Sequence, residues 1–188
     1  ALSISIIPAT GKYIMGVFMN VSVVVLTYNS QRTIKRCLQA LLNQSYQDFE
    51  LVVVDDGSSD STPNLISGYN DPRIRMVQNK NNLGIAKSRN IGWKNSKGSL
   101  VFFTDSDCTP MLNWLEEGVK NLQKGGDFIT GVTFYENART SLRHKIVQGR
   151  DIFYTCNLGF KRKILEAVDG FDEKLSMYAE DKDICFRI

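Results

Sequence analysis

VSVVVLTYNS at residues 21–30 and LVVVDDGSSD at residues 51–60 decide the fold. Each opens on an almost unbroken apolar, β-branched run and closes on small polar residues. Val21 to Leu26 gives way to Thr27, Tyr28, Asn29 and Ser30, and Leu51 to Val54 gives way to Asp55, Asp56, Gly57, Ser58, Ser59 and Asp60. A strand buried on both faces runs out into a loop in this way. Between the two, Ile34, Cys37, Leu38, Leu41 and Leu42 recur at helical spacing, with Lys35 and Gln39 outside the stripe. That segment reads as an amphipathic helix packed on a sheet. A strand, helix, strand unit with apolar strands predicts an α/β fold. Its sheet should be mostly parallel, with helices on both faces and right-handed crossovers.

The alternation continues outward. Pro63 sits in the first turn of a second helix, and Ile74 to Val77 and Leu100 to Phe103 read as further strands. The helix between those strands opens near Gly84 and runs through Arg89 to about Trp93. Thr109 and Pro110 read as the N-cap and first position of a helix whose apolar face is Leu112, Leu115, Val119 and Leu122. Beyond Asp127 the pattern loosens. An apolar run at Phe128 to Phe134 is followed by a polar segment around His144, a second run from Ile152 to Phe160, and a short helix from Lys161 to Val168. A last helix opens at Glu180 or Asp181. It carries Ile184, Cys185 and Ile188 with no C-capping glycine, so the chain is expected to be cut short there.

The 188 residues, 43% of them hydrophobic, suffice for one domain with a core. A formal charge of +3 and the lack of any Lys/Arg run leave no electrostatic track for a nucleic acid, so none is expected as a partner. The four cysteines, Cys37, Cys108, Cys156 and Cys185, form no CxxC pair, which signals neither a zinc site nor a disulfide framework and fits a reducing cytoplasm. Residues 1–19 read as a leader or appended segment outside the core. Pro8, Gly11 and Lys12 interrupt their apolar patch well short of the about 18 apolar residues that a membrane span needs.

In open α/β sheets, ligands collect at the carboxyl ends of the strands. Three strands deliver polar residues there: Thr27, Tyr28 and Asn29; Asp55 and Asp56; and Asp105, Ser106 and Asp107. Asp105 and Asp107, two apart, point to the same side of an extended segment and can address one divalent cation together with diphosphate oxygens. Two carboxylates suit Mg²⁺ or Mn²⁺ shared with a substrate better than a protein-only cage. Taken alone, the same spacing also describes a solvated turn. Asp55 and Asp56 before Gly57 and Ser58 likewise read either as turn and N-cap chemistry or as a carboxylate accepting from a nucleobase or ribose.

Taken together, these segments resemble the family 2 glycosyltransferases, which have the GT-A fold. The resemblance is carried by Val23 to Asn29, Leu41 to Tyr46, Phe49 to Leu51, Val54 to Asp60, Asn82-Leu83-Gly84, Ser88-Arg89-Asn90, Asp105-Ser106-Asp107, Gly170 to Glu173 and Glu180 to Asp183. In order and spacing these cover residues 20–188, the expected extent of the domain. The resemblance implies that Asp56 reads the base, with Thr27, Tyr28 and Asn29 beside the nucleoside and Arg89 near the nucleotide. It further implies that Asp105 faces ribose and metal, that Asp107 is the direct metal ligand, and that Asp181 is the catalytic base with Glu180 as its neighbour. The implied activity is transfer of a sugar, with inversion, from a nucleoside diphosphate, by default uridine diphosphate, to a glycan, lipid-linked or protein acceptor. It would take place in the cytoplasm, with possible peripheral association at the cytoplasmic face of the membrane. Many members continue past the Glu-Asp segment, some with a histidine that completes the metal site.

The main alternative is a non-catalytic module of the same fold that holds a nucleotide-sugar. A nucleotidyltransferase would carry a Gly-rich, basic loop after the first strand, which Thr27-Tyr28-Asn29-Ser30 is not. For Asp181, the competing explanation is an acid favoured by the helix dipole in a first turn. His144 has no second ligand near it in sequence. Cys108 is expected behind its loop, and Trp93, Trp114 and Tyr178 are expected in the core or at a sugar's edge. Asn157 and Gly159 are candidates for the acceptor side.

Overall fold

The computed structural model describes residues 21–136, 141–146, 154–175 and 179–188. The leader (residues 1–19), Ile152 and Tyr178 lie outside the described residues. Strands β1 (Val21–Thr27), β2 (Phe49–Asp55), β3 (Ile74–Gln78) and β4 (Leu100–Asp105) alternate with helices α1 (Ile34–Leu42), α2 (Thr62–Ser67) and α3 (Ile85–Asn95). Next come β5 (Cys108–Pro110), α4 (Trp114–Gln123), β6 (Phe128–Glu136), β7 (Ser141–Ile146), β8 (Leu158–Lys161), α5 (Arg162–Ala167) and α6 (Glu180–Arg187). The strand order is β3-β2-β1-β4-β8-β6-β7-β5. Strands β1 to β4 are parallel, and β8 is antiparallel to both β4 and β6. The chain therefore reverses its direction of travel across the sheet between β1 and β4, the crevice in which an open α/β sheet binds ligands.

Strands apolar on both faces are what this layering requires. On one face, Val23, Val25, Leu51, Val53 and Phe102 meet the apolar stripes of α1 and α4. On the other, Val24, Val52, Val54, Val101 and Phe103 meet α3, α5, Phe171 and α6. Helix α3 lies close on the sheet at Gly92, where a Cβ would fall 2.3 Å from Val24 Cγ1 and 3.1 Å from Val54 Cγ2. Overpacking of that kind costs about 1–3 kcal/mol. Gly92→Ala is expected to lower the unfolding free energy by that amount in chemical denaturation.

One local expectation differs. Thr109 and Pro110 do not open a helix; they lie in β5, which pairs in parallel with β7, and α4 starts four residues later with Asn113 at its N-cap. Thr-Pro matches the local chemistry of a helix start. The competing partner, residues 142–144, lies more than thirty positions away in sequence. The polar segment around His144 is strand β7.

Candidate functional site

The loops after β1 and β2 are stitched together where both strands end. Asn29 takes the left-handed conformation (φ 49°), which asparagine tolerates. Its backbone N–H donates to Ser58 Oγ (2.8 Å), and its Oδ1 accepts from the Ser59 N–H (2.9 Å). Ser30 N–H donates to Thr62 Oγ1 (2.8 Å). Gly57 (φ 76°) is required beside them, since a Cβ there would lie 2.6 Å from the Asn81 backbone. Tyr28 stands exposed above this floor. Thr27 and Asp55 are register partners, both fully buried, and Thr27 Oγ1 and Asp55 Oδ1 have no hydrogen-bond partner. In a native fold such atoms are met by water or by a ligand.

Asp56 is buried and closes the same floor from the side. Its Oδ1 accepts from Asn79 Nδ2 and from the Leu83 N–H (both 2.9 Å), and its Oδ2 accepts from the Gly84 N–H (3.1 Å). The Asp carboxylate therefore holds the Asn82-Leu83-Gly84 turn that starts α3.

Across the crevice, β4 delivers Asp105, Ser106 and Asp107. The Ser106 N–H bonds to the Leu26 carbonyl (3.1 Å), and Ser30 and Ser106 hydroxyls lie 2.7 Å apart, which joins the ends of β1 and β4 directly. Asp107 is exposed, and its carbonyl accepts from Arg36 (3.4 Å). Asp105 is about one-third exposed and pairs with Arg89 Nη2 at 3.1 Å. Burial lifts the Asp105 carboxyl above its ordinary value; Arg89 pulls against that shift, while Asp107 and Glu180 add to it. Among the described residues, no group of three or more His, Cys, Asp or Glu side chains is placed to hold a metal alone. Asp105 and Asp107 supply the hard oxygen donors that suit an ion shared with a diphosphate.

Arg89 is the hub. It is 4% exposed on α3, with its other arm, Nη1, on Glu180 Oε1 and its guanidinium carbon 5.9 Å from the centre of the Phe171 ring. Glu180 is itself buried and accepts from Thr155 Oγ1 (3.5 Å). Asp181, the next residue in the first turn of α6, is partly exposed, and its Oδ1 accepts the Lys182 N–H (2.8 Å). The structure thus joins Asp105, Arg89 and Glu180 in one chain of ion pairs, with Asp181 next to Glu180 in sequence and Asp107 two residues beyond Asp105.

Other segments hold this frame. Asn90 Oδ1 accepts from the Phe171 N–H and from Trp93 Nε1 (both 2.9 Å), and its Nδ2 donates to the Phe171 carbonyl (2.8 Å). Gly170 (φ 69°) has no room for a Cβ, which would lie 2.4 Å from Asn90 Oδ1. Gln44 is buried and caps α4, its Oε1 accepting the Leu115 N–H (3.0 Å). Asn157 and Gly159 face inward: Asn157 Oδ1 accepts from Trp114 Nε1 (2.8 Å), and a Cβ on Gly159 would lie 2.7 Å from the Phe102 ring. All four cysteines are free and buried, with Cys108 behind its loop as expected.

The Glycosyl transferase family 2 model matches residues 22–173. Among curated relatives, Glycosyltransferase AglE of Haloferax volcanii is 30% identical over 172 residues, covering 82% of this chain and 57% of that protein. The UDP-Glc:alpha-D-GlcNAc-diphosphoundecaprenol beta-1,3-glucosyltransferase WfgD of Escherichia coli is 35% identical over 104 residues, covering 55% and 41%. Among solved structures, S. aureus TarS 1-349 in complex with UDP superposes with a TM-score of 0.74 at 26% identity, covering 88% of this chain and 54% of that one. The mannosyltransferase PcManGT from Pyrobaculum calidifontis, in complex with GDP-Man and Mn²⁺, gives 0.72 at 25%, covering 89% and 51%. The chain spans about half the length of these relatives.

Proposed function

The chain belongs to glycosyl transferase family 2 and has the GT-A fold, and we propose that it transfers a sugar from a UDP-linked donor to an acceptor hydroxyl by metal-assisted displacement with inversion. The observation that carries this reading is the crevice between β1 and β4. There Asp105 and Asp107 emerge beside Thr27, and Asp105 is tied through Arg89 and Glu180 to the helix bearing Asp181. Solved neighbours bound to UDP, UDP-GlcNAc and GDP-Man support a nucleotide-sugar donor. The acceptor is a glycan, lipid-linked or protein hydroxyl, and the E. coli relative's name, that of a glucosyltransferase directed to a diphosphoundecaprenol-linked sugar, supports the lipid-linked class. We read residues 20–188 as one GT-A domain working in the cytoplasm, a compartment supported by the free, buried thiols. Among the described residues, no helix is long and apolar enough to cross a membrane.

In this reading the nucleoside lies on the floor formed by Thr27, Tyr28, Asn29 and Asp56. Asp107, with Asp105 behind it, would hold Mg²⁺ or Mn²⁺, which would supply positive charge to offset that of the departing UDP. Arg89, from the buried side, favours the ionised form of Asp105 against the upward pull of burial. Asp181 takes the acceptor's proton as its oxygen bonds to the anomeric carbon, and the bond to UDP breaks with its electron pair going to the β-phosphate oxygen.

The test is UDP release from UDP-sugars in the presence of Mn²⁺ and an acceptor, with the anomeric configuration of the product read by NMR. The expected product from an α-linked donor is β-configured. A product that retains configuration overturns the single displacement, and tight UDP binding with no release favours a non-catalytic nucleotide-sugar module.

A further inference from the structure

We propose that Glu180 is a positioning residue for the transfer step: by clamping Arg89 on the side opposite Asp105, it fixes the first turn of α6 and hence the direction of the Asp181 carboxylate. This rests on the reading of Asp181 as the base.

Glu180 is a nearly inaccessible carboxylate, 6% exposed, held by Arg89 and Thr155. A buried acid is expensive unless it is paired, so its place at the opening of α6 calls for a reason. The rest of the helix is anchored without it. Ile184 and Cys185 sit in the core, and Arg187 donates to the Val168 and Gly170 carbonyls (both 2.7 Å) and pairs with Asp183. The first turn follows Ala179 in a left-handed conformation (φ 72°), which alanine adopts reluctantly. Glu180 is thus the side chain that ties this end of α6 to α3 and, through Arg89, to the end of β4. Consecutive residues on a helix point about 100° apart. Turning Glu180 into the protein therefore sets Asp181 on the accessible side at a fixed angle.

A base displaced by about 1 Å loses as much as 100-fold in rate. Glu180→Gln keeps shape and the Thr155 contact but removes the charge that grips Arg89. It is expected to lower kcat about tenfold while the KM for UDP-sugar stays within about twofold. Glu180→Asp, which keeps the charge on a shorter stem, is expected to recover part of the loss. The double variant with Asp181→Asn should be no slower than Asp181→Asn alone, since nothing is left to aim. Unchanged kcat in Glu180→Gln, a fall confined to KM, or additive losses in the double variant overturn the positioning role. Full turnover in Asp181→Asn instead overturns the base assignment on which it stands.

Discussion

Asp181→Asn is expected to lower kcat for sugar transfer by about 10²–10⁴-fold, the range that a general base contributes, while affinity for UDP with Mn²⁺ is unchanged. An acceptor hydroxyl attacks as a neutral, weak nucleophile unless its proton is removed as the new bond forms. Asn keeps the size and polarity of the side chain but cannot accept that proton. Because the lost interaction exists only in the transition state, kcat and kcat/KM should fall together. The geometry fits this assignment: Asp181 is partly exposed at the first turn of α6, whereas its neighbour Glu180 is buried and committed to Arg89. Initial rates of UDP release across a donor titration check it.

Arg89→Met is expected to destabilise the protein by about 3–5 kcal/mol, the cost of leaving buried charges without their partner. At about 2–4 °C per kcal/mol for a chain of this size, the melting temperature falls by roughly 6–20 °C. Arg89 is nearly inaccessible and lies between Asp105 and Glu180. Burial already holds the Asp105 carboxyl above its ordinary value, and removing Arg89 removes the pull against that shift. The folded state then binds more protons than the unfolded one, and stability rises as pH falls toward the ordinary carboxylate pKa of about 4. The deficit should therefore be largest near neutral pH and shrink on acidification. Adding Glu180→Gln should restore part of it. Thermal melts at several pH values check both the size and the sign.

Much of the frame was legible in the sequence because its signals are local. The apolar runs of β1, β2 and β4 announce strands covered on both faces, and the polar residues that end them mark the ligand side of the sheet. Pro63, the stripe of α1 and the Gly84 opening of α3 are equally local. What could not be read depends on distant partners. Residues 108–110 become a strand because β7 lies alongside them, which no property of Thr109-Pro110 discloses. Asn157 and Gly159 look available in sequence but are enclosed by Trp114 and Phe102. Arg89 and Glu180 stand 91 positions apart, so their pairing waits on α3 and α6 meeting under Phe171. The one available signal for it was an acidic pair, Glu180-Asp181, opening a helix, whose two members turn out to face different surroundings.

The central claim, that the β1/β4 crevice binds a nucleoside diphosphate through a metal at Asp105 and Asp107, is tested most directly by calorimetric titration of UDP with and without Mn²⁺. The wild-type protein should bind UDP with an affinity that Mn²⁺ raises at least about tenfold, or 1.4 kcal/mol, and Asp107→Ala should abolish that gain. Binding that is indifferent to Mn²⁺, or a gain that survives in Asp107→Ala, would contradict it.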